Sequence, residues 1–199
     1  MKLYFSPGSC SLCPHIVLRE AGADFELEQV NVREKKLMDG TDYWGTNPKG
    51  QVPTLVLDDG QALTECAAIV QYIADQHPGA GLAPEAGTMD RVRLQEWLSF
   101  IGSELHKNIP PLFLPTTPDD YKPVARAKVE QKFGDLDRRL ADNEFLMGDR
   151  YTVADGYCFA IVSWHKRSDI DLAQWPNLKA YMERIADRPA VKEALAAEG

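Results

Sequence analysis

Cys10 and Cys13 stand three residues apart in the run Ser9-Cys10-Ser11-Leu12-Cys13-Pro14-His15. Such a pair suits thiol–disulfide exchange, half of a metal site, or one working cysteine beside an incidental neighbour. The alternative is no chemistry at all, with two small side chains filling space. Pro14 bears on the choice. It lacks an N–H, and the first four N–H groups of a helix need no intrahelical acceptor. With Ser11 as N-cap, Pro14 forfeits no hydrogen bond and Cys10 lies just before the helix, at its positive end. There the thiolate is favoured, and the pKa is expected below the ~8.5 of a free cysteine. A loop cysteine after a first strand is also where open α/β folds bind ligands. Cys10 is therefore read as the reactive thiol. Cys13, inside the first turn, is expected to pack inward, and His15 is read as a surface or half-buried helix residue rather than a base.

Two further stretches could bind a peptide-like ligand. Pro53 opens a strand, where a missing ladder bond is tolerated, and Val52 before it could offer its N–H and C=O to an extended ligand. An ordinary strand-entry proline explains the same residues. Thr64-Glu65-Cys66 opens a helix after a strand; its free N–H groups suit a carboxylate, and Glu65 suits an ammonium. A capping threonine followed by a first-turn glutamate is the equal alternative. Zinc is disfavoured: beyond Cys10 and Cys13, the remaining Cys66, Cys158, His15, His77, His106 and His165 show no second paired-ligand spacing.

The elements that must hold these residues follow from periodicity and turn signals. Strands are expected at Lys2–Phe5, Phe25–Val32, Thr54–Leu57 and Gln61–Thr64, with a hairpin turn at Asp58-Asp59-Gly60. Helices are expected at Ser11–Ala21, stopped by Gly22, and at Cys66–Gln76. Arg33–Asp42 reads as a charged connection. The order is β-α-β, a connection, then β-β-α. A Gly-, Pro- and Ala-rich linker spans His77–Gly87.

Beyond the linker the chain is helical. Leu94, Leu98, Ile101 and Leu105 share one helical face. Thr117-Pro118-Asp119-Asp120 is expected to start a helix that Pro123 soon breaks or kinks, with Val129, Phe133, Leu136 and Leu140 as its later stripe. Thr152 and Asp155 have capping-box spacing before an apolar helix expected in the core of this half. Leu178, Tyr181, Met182 and Ile185 mark a last amphipathic helix.

The chain has 199 residues, 44% of them hydrophobic, ample for one large or two small domains. Its formal charge of -8 argues against general nucleic-acid binding. No apolar stretch approaches the ~20 residues of a membrane span. The first residues lack the long apolar region of a signal peptide. These features, with four cysteines too few for a disulfide scaffold, lead to the expectation of a cytoplasmic protein.

The segments "KLYFSPGSCSL", "NPKGQVPTLVLDDG", "LTE", "SELHK" and "TVAD", in this order, resemble the cytosolic glutathione transferases, above all the bacterial beta class. The resemblance covers nearly the whole chain. It implies an α/β plus all-α fold, with a thioredoxin-like glutathione-binding domain at 1–80 and an all-helical bundle domain at 88–199. It also implies a homodimer and a cis bond before Pro53. The implied function is detoxifying transfer of glutathione to small hydrophobic electrophiles, with glutathione as co-substrate and no prosthetic cofactor.

Carried over residue by residue, the resemblance makes Cys10 the working residue, able to hold glutathione as a mixed disulfide. His106 becomes its hydrogen-bond partner or base, where the spacing alone reads a polar residue off the Leu98–Leu105 stripe. Glutathione contacts fall on Lys35, Val52, Pro53, Glu65 and the amide of Cys66, and on Ser99, Ser103, Glu104, Leu105 and Lys107, some donated by a partner subunit. Phe113 and Trp164 are candidates for the wall facing the electrophile. Four positions depart from the pattern: Cys13 stands where relatives have Ser or Ala, Cys66 where they have Gly or Ser, Ser99 where Asn is common, and Phe5 lacks a tyrosine hydroxyl, which throws more weight on Cys10. Two other functions fit the same residues: glutathione-dependent disulfide reduction, with glutathione or Cys13 resolving the intermediate, and ligand binding without turnover.

Overall fold

The structure, a computed structural model, describes all 199 residues. Strand β1 (Lys2–Phe5), helix α1 (Leu12–Glu20) and strand β2 (Glu26–Asn31) form a βαβ unit with the strands parallel. Strands β3 (Lys36–Leu37), β4 (Thr54–Val56) and β5 (Ala62–Thr64) complete a five-stranded sheet of order β3-β2-β1-β4-β5, and α2 (Cys66–Gln76) follows. The β4 strand runs antiparallel to β1, and β5 to β4. Alternation places Leu3 and Phe5 on one face of the central strand, both buried. Tyr4 points the other way, onto a cluster of Val30, Tyr43 and Val52.

The charged connection holds an element that its composition hid. Lys36 and Leu37 pair antiparallel with Asn31 and Val30 of β2. Two residues are too short to show a strand period, so only the neighbouring strand reveals them.

The helical half contains α3 (Met89–Phe100), α4 (Lys122–Leu140), α5 (Val153–Val162) and α6 (Pro176–Ala186). Thr88 caps α3 by accepting from the Arg91 N–H at 3.2 Å. The helix does not end in a plain α turn; it widens into a π turn over Ile101–Leu105, closed by His106 N–H to Ile101 O at 2.8 Å. The expected start of α4 at Thr117 is corrected. Thr117–Tyr121 forms turns, and the helix begins at Lys122 with Pro123 in its first turn. Pro123 thus opens the helix rather than breaking it, because its missing N–H falls where no acceptor exists. All ten residues of α5 are buried, and the Thr152–Asp155 capping box is formed.

Residues 1–83 together with 188–199 form one compact unit, and residues 84–187 another. These units differ from the division expected at 1–80 and 88–199 in that residues 188–199 group with the first unit. A further helix, α7 (Pro189–Glu198), packs on α1 of the first unit. Val191 and Ala194 are its buried face, and Arg188 forks onto Glu20, with Nη2 donating to Oε2 at 2.8 Å. No helix is long and apolar enough to cross a membrane.

Candidate functional site

Cys10 lies, as the position of Pro14 predicts, in the loop just before α1. Two tight turns lead in, with the Leu12 N–H bonded to Ser9 O and the Cys13 N–H to Cys10 O. Ser11 marks the boundary but does not cap the helix with its side chain. Its hydroxyl turns back instead, accepting from Ser6 N–H at 3.1 Å and lying 2.7 Å from the Ser9 hydroxyl. The loop is thereby knitted to itself. Cys10 is half-buried, and its Sγ donates to the Val52 carbonyl at 3.4 Å.

Behind this loop stands a network that the sequence did not disclose. His15, read as a surface or half-buried residue, is completely buried. Arg19 Nε–H donates to His15 Nε2 at 2.9 Å. The ring proton therefore sits on Nδ1, which donates to Glu198 Oε1 at 2.9 Å. The other oxygen of Glu198 accepts the Gly8 N–H at 3.3 Å. One carboxylate of α7 thus ties the Cys10 loop to α1. The signal available in the sequence was only an apolar helix pattern near the C-terminus; the pairing spans 183 residues. Glu198→Ala is expected to lower unfolding stability by about 1–3 kcal/mol, since it strips the acceptor from a buried imidazole N–H. A urea midpoint shifted at constant slope reads this directly, and an unmoved midpoint contradicts it.

The peptide-binding candidates assemble in the same unit. The Val52–Pro53 bond is cis, as the resemblance implies. The Val52 carbonyl is taken by Cys10, while its N–H has no acceptor in the chain. Lys35 has φ 57° and donates from Nζ to Gly50 O at 2.6 Å. Gly50 is required here: its φ is +59°, and a Cβ would come within 2.8 Å of the Trp44 ring.

Glu65, exposed and at φ 71°, is the residue before α2. A left-handed glutamate is uncommon, and such strain gathers at ligand sites. Its carboxylate pairs with Lys49 Nζ at 2.8 Å, and Thr64, rather than capping the helix, accepts from the same Nζ. The first two amides of α2, at Cys66 and Ala67, have no acceptor in the chain. The Cys66 thiol is pushed well up. A hydrogen bond with the Cys10 side chain works downward, but a hydrogen bond with the Cys13 side chain, burial, and the charges of Cys13 and Glu65 outweigh it.

In the second unit, the residues expected at the site lie along the end of α3 and its π turn, an irregularity frequent at functional sites. Ser99, Ser103 and Lys107 are exposed. Ser103 donates to Ser99 O at 2.9 Å, and Glu104 meets Lys132 at 3.5 Å. Leu105 is fully buried in this unit's core. His106 Nδ1 lies 2.7 Å from the Tyr157 hydroxyl, and its ring packs edge-on to Trp164 at 5.2 Å. Phe113 packs on Trp164 in turn, under the Arg167 guanidinium.

No three His, Cys, Asp or Glu side chains gather where they could hold a metal ion. The chemistry on offer is a half-buried thiol beside unpartnered amides, suited to a thiol-bearing peptide with a carboxylate and an ammonium. Comparison with known proteins identifies the family. Residues 8–76 match the family described as "Glutathione S-transferase, N-terminal domain", and residues 100–189 match "Glutathione S-transferase, C-terminal domain". The chain is 46% identical to glutathione S-transferase GstA of Escherichia coli O157:H7, covering all of this chain and 99% of that one. Among solved structures, a sphingomonad glutathione S-transferase complexed with glutathione superposes with a TM-score of 0.97 at 49% identity, covering 100% of this chain and 99% of that one. A bacterial beta class glutathione S-transferase from Sphingomonas chungbukensis matches with the same TM-score, identity and coverage.

Proposed function

This chain belongs to the glutathione S-transferase family, and on that premise we propose that it joins the glutathione thiol to small hydrophobic electrophiles, with Cys10 at the sulfur site. The observation that carries this placement is the set of unpartnered amides in one unit with Cys10. The Val52 N–H, beside Pro53, suits the peptide backbone of glutathione, and the amides opening α2 at Cys66 and Ala67 suit a carboxylate. Glu65 takes the ammonium, sharing it with or exchanging it for Lys49. Lys35 adds positive charge near the glutathione backbone. Ser99, Ser103, Glu104, Leu105 and Lys107 supply the contacts of the helical unit, in a homodimer partly from the partner subunit. His106 is the polar group that orients or accepts a proton near the sulfur, and its Nε2 has no partner in the chain.

The Cys10 thiol and the positive end of α1 stabilise the glutathione thiolate. Its sulfur forms a carbon–sulfur bond at the carbon bearing the leaving group, which departs with the bond's electron pair. Phe113 and Trp164 offer an apolar wall to the electrophile. Glutathione is consumed as a co-substrate, no prosthetic group takes part, and the protein works in the cytoplasm. Saturating glutathione with a chlorodinitrobenzene should yield the thioether and free chloride. No product across a panel of such electrophiles would leave ligand binding without turnover as the better reading.

A second reading, glutathione-dependent disulfide reduction, draws its support from one observation, the Cys66 thiol donating to the Cys10 carbonyl at 3.5 Å.

A further inference from the structure

Three of the four cysteines are neighbours, although Cys66 is 56 residues from Cys10 in the chain. Cys10 ends the loop before α1, Cys13 lies in the first turn of α1, and Cys66 opens α2. The two helices pack together, which brings their N-terminal ends, and these thiols, to one place. The Cys66 Sγ donates to the Cys10 carbonyl at 3.5 Å, and the Cys10 and Cys13 side chains both bear on the pKa of the Cys66 thiol. Cys66 is thus the thiol that α2 brings against the Cys10 backbone. Cys10 is half-buried and open to a solute, whereas Cys66 and Cys13 are 5% and 0% exposed. An external disulfide meets Cys10 first.

We propose that Cys66 is a resolving thiol for Cys10, converting a Cys10–glutathione mixed disulfide into an internal Cys10–Cys66 disulfide. The inference rests on the reading that Cys10 is the sulfur site. The oxidant is glutathione disulfide. In the first step the Cys10 thiolate attacks one of its sulfurs, the sulfur–sulfur bond breaks, and one glutathione leaves as thiolate. In the second step the Cys66 sulfur attacks the Cys10 sulfur, and the bond from Cys10 to glutathione breaks. The second glutathione leaves and takes up the proton released by Cys66. Two protein thiols are oxidised, and one glutathione disulfide is reduced to two glutathione molecules. Burial keeps Cys66 protonated and slows its attack, while contact with Cys10 gives it a high effective concentration. The order that results is glutathione uptake followed by slower release. The product is a reversible state in which Cys10 is withdrawn from further exchange.

The test incubates the reduced full chain anaerobically with glutathione disulfide, blocks free thiols in acid, and follows intact mass and unreduced peptide maps. In the wild type, a glutathione adduct on Cys10 should give way to a species lighter than the reduced protein by two hydrogens, mapping to Cys10–Cys66. In Cys66→Ser the adduct should persist at least about tenfold longer, and Cys13→Ser should follow the wild type. The wild-type map stands without either variant. An adduct as long-lived in the wild type as in Cys66→Ser overturns the inference, as does an internal disulfide pairing Cys10 with Cys13. Absence of any adduct also overturns it, together with Cys10 as acceptor of glutathione. Thioether formation, measured on the same preparation, tests the transferase reading separately.

Discussion

Replacing Cys10 by serine is expected to abolish covalent uptake of glutathione from glutathione disulfide. Exchange requires a thiolate that an external disulfide can reach. Cys13 and Cys158 are 0% exposed and Cys66 is 5% exposed. Burial pushes the Cys158 thiol far up, and the Cys66 thiol is also held well above the usual thiol range. No second cysteine is therefore ready to take over. The measurement is intact mass after incubation with glutathione disulfide; an adduct on Cys10→Ser would move the sulfur site elsewhere. Conjugation should respond differently, because it needs a group that stabilises the glutathione thiolate rather than a covalent bond to the protein. Cys10→Ala removes that donor and is expected to lower kcat/KM by about tenfold, the worth of one charge-assisted hydrogen bond. An unchanged kcat/KM in the alanine variant would show that the amides and the helix end suffice.

Asp155→Ala is expected to cost about 3 kcal/mol of stability, or roughly 6–12 °C in Tm for a chain of this size. The carboxylate gathers four donors: Leu146 N–H at 2.9 Å, Thr152 N–H at 2.8 Å, the Thr152 hydroxyl at 3.1 Å and the Tyr181 hydroxyl at 3.0 Å. Leu146 and Tyr181 are fully buried and Thr152 nearly so, so truncation strands two amides and a phenol away from water. The pH dependence has a definite sign. Burial raises the Asp155 pKa above 3.8, with its hydrogen bonds pulling the other way. A group raised on folding stabilises most below its unfolded pKa, and that contribution is lost as pH rises through the folded value. The deficit of Asp155→Ala should therefore widen on acidification through that window. Thermal scans of both proteins across pH check it; a deficit that narrows toward acid would contradict the assignment.

Much of the scaffold was legible because its signals are local. The 2-residue and 3.6-residue periods gave the two halves, and a proline at the third position of α1 placed Cys10 outside the helix. The Thr152–Asp155 spacing announced a capping box that is formed. The boundary of α4 was misread because Thr-Pro-Asp-Asp and a first-turn Pro123 are both valid helix openings, and only packing selects between them. Of the candidate site, the loop of Cys10 and the opening of α2 were visible as separate pieces of turn chemistry.

The amino-acid sequence by itself determined the element order, the placement of Cys10 at a helix end and the family resemblance, since these depend on neighbours within a few residues. Only the tertiary structure decided that α7 returns to α1, that Glu198 holds the buried His15, and that Cys66 donates to the Cys10 carbonyl. Those contacts join residues 56 or more apart. No periodicity encodes them; they exist because the helices that carry them bury apolar faces against one another.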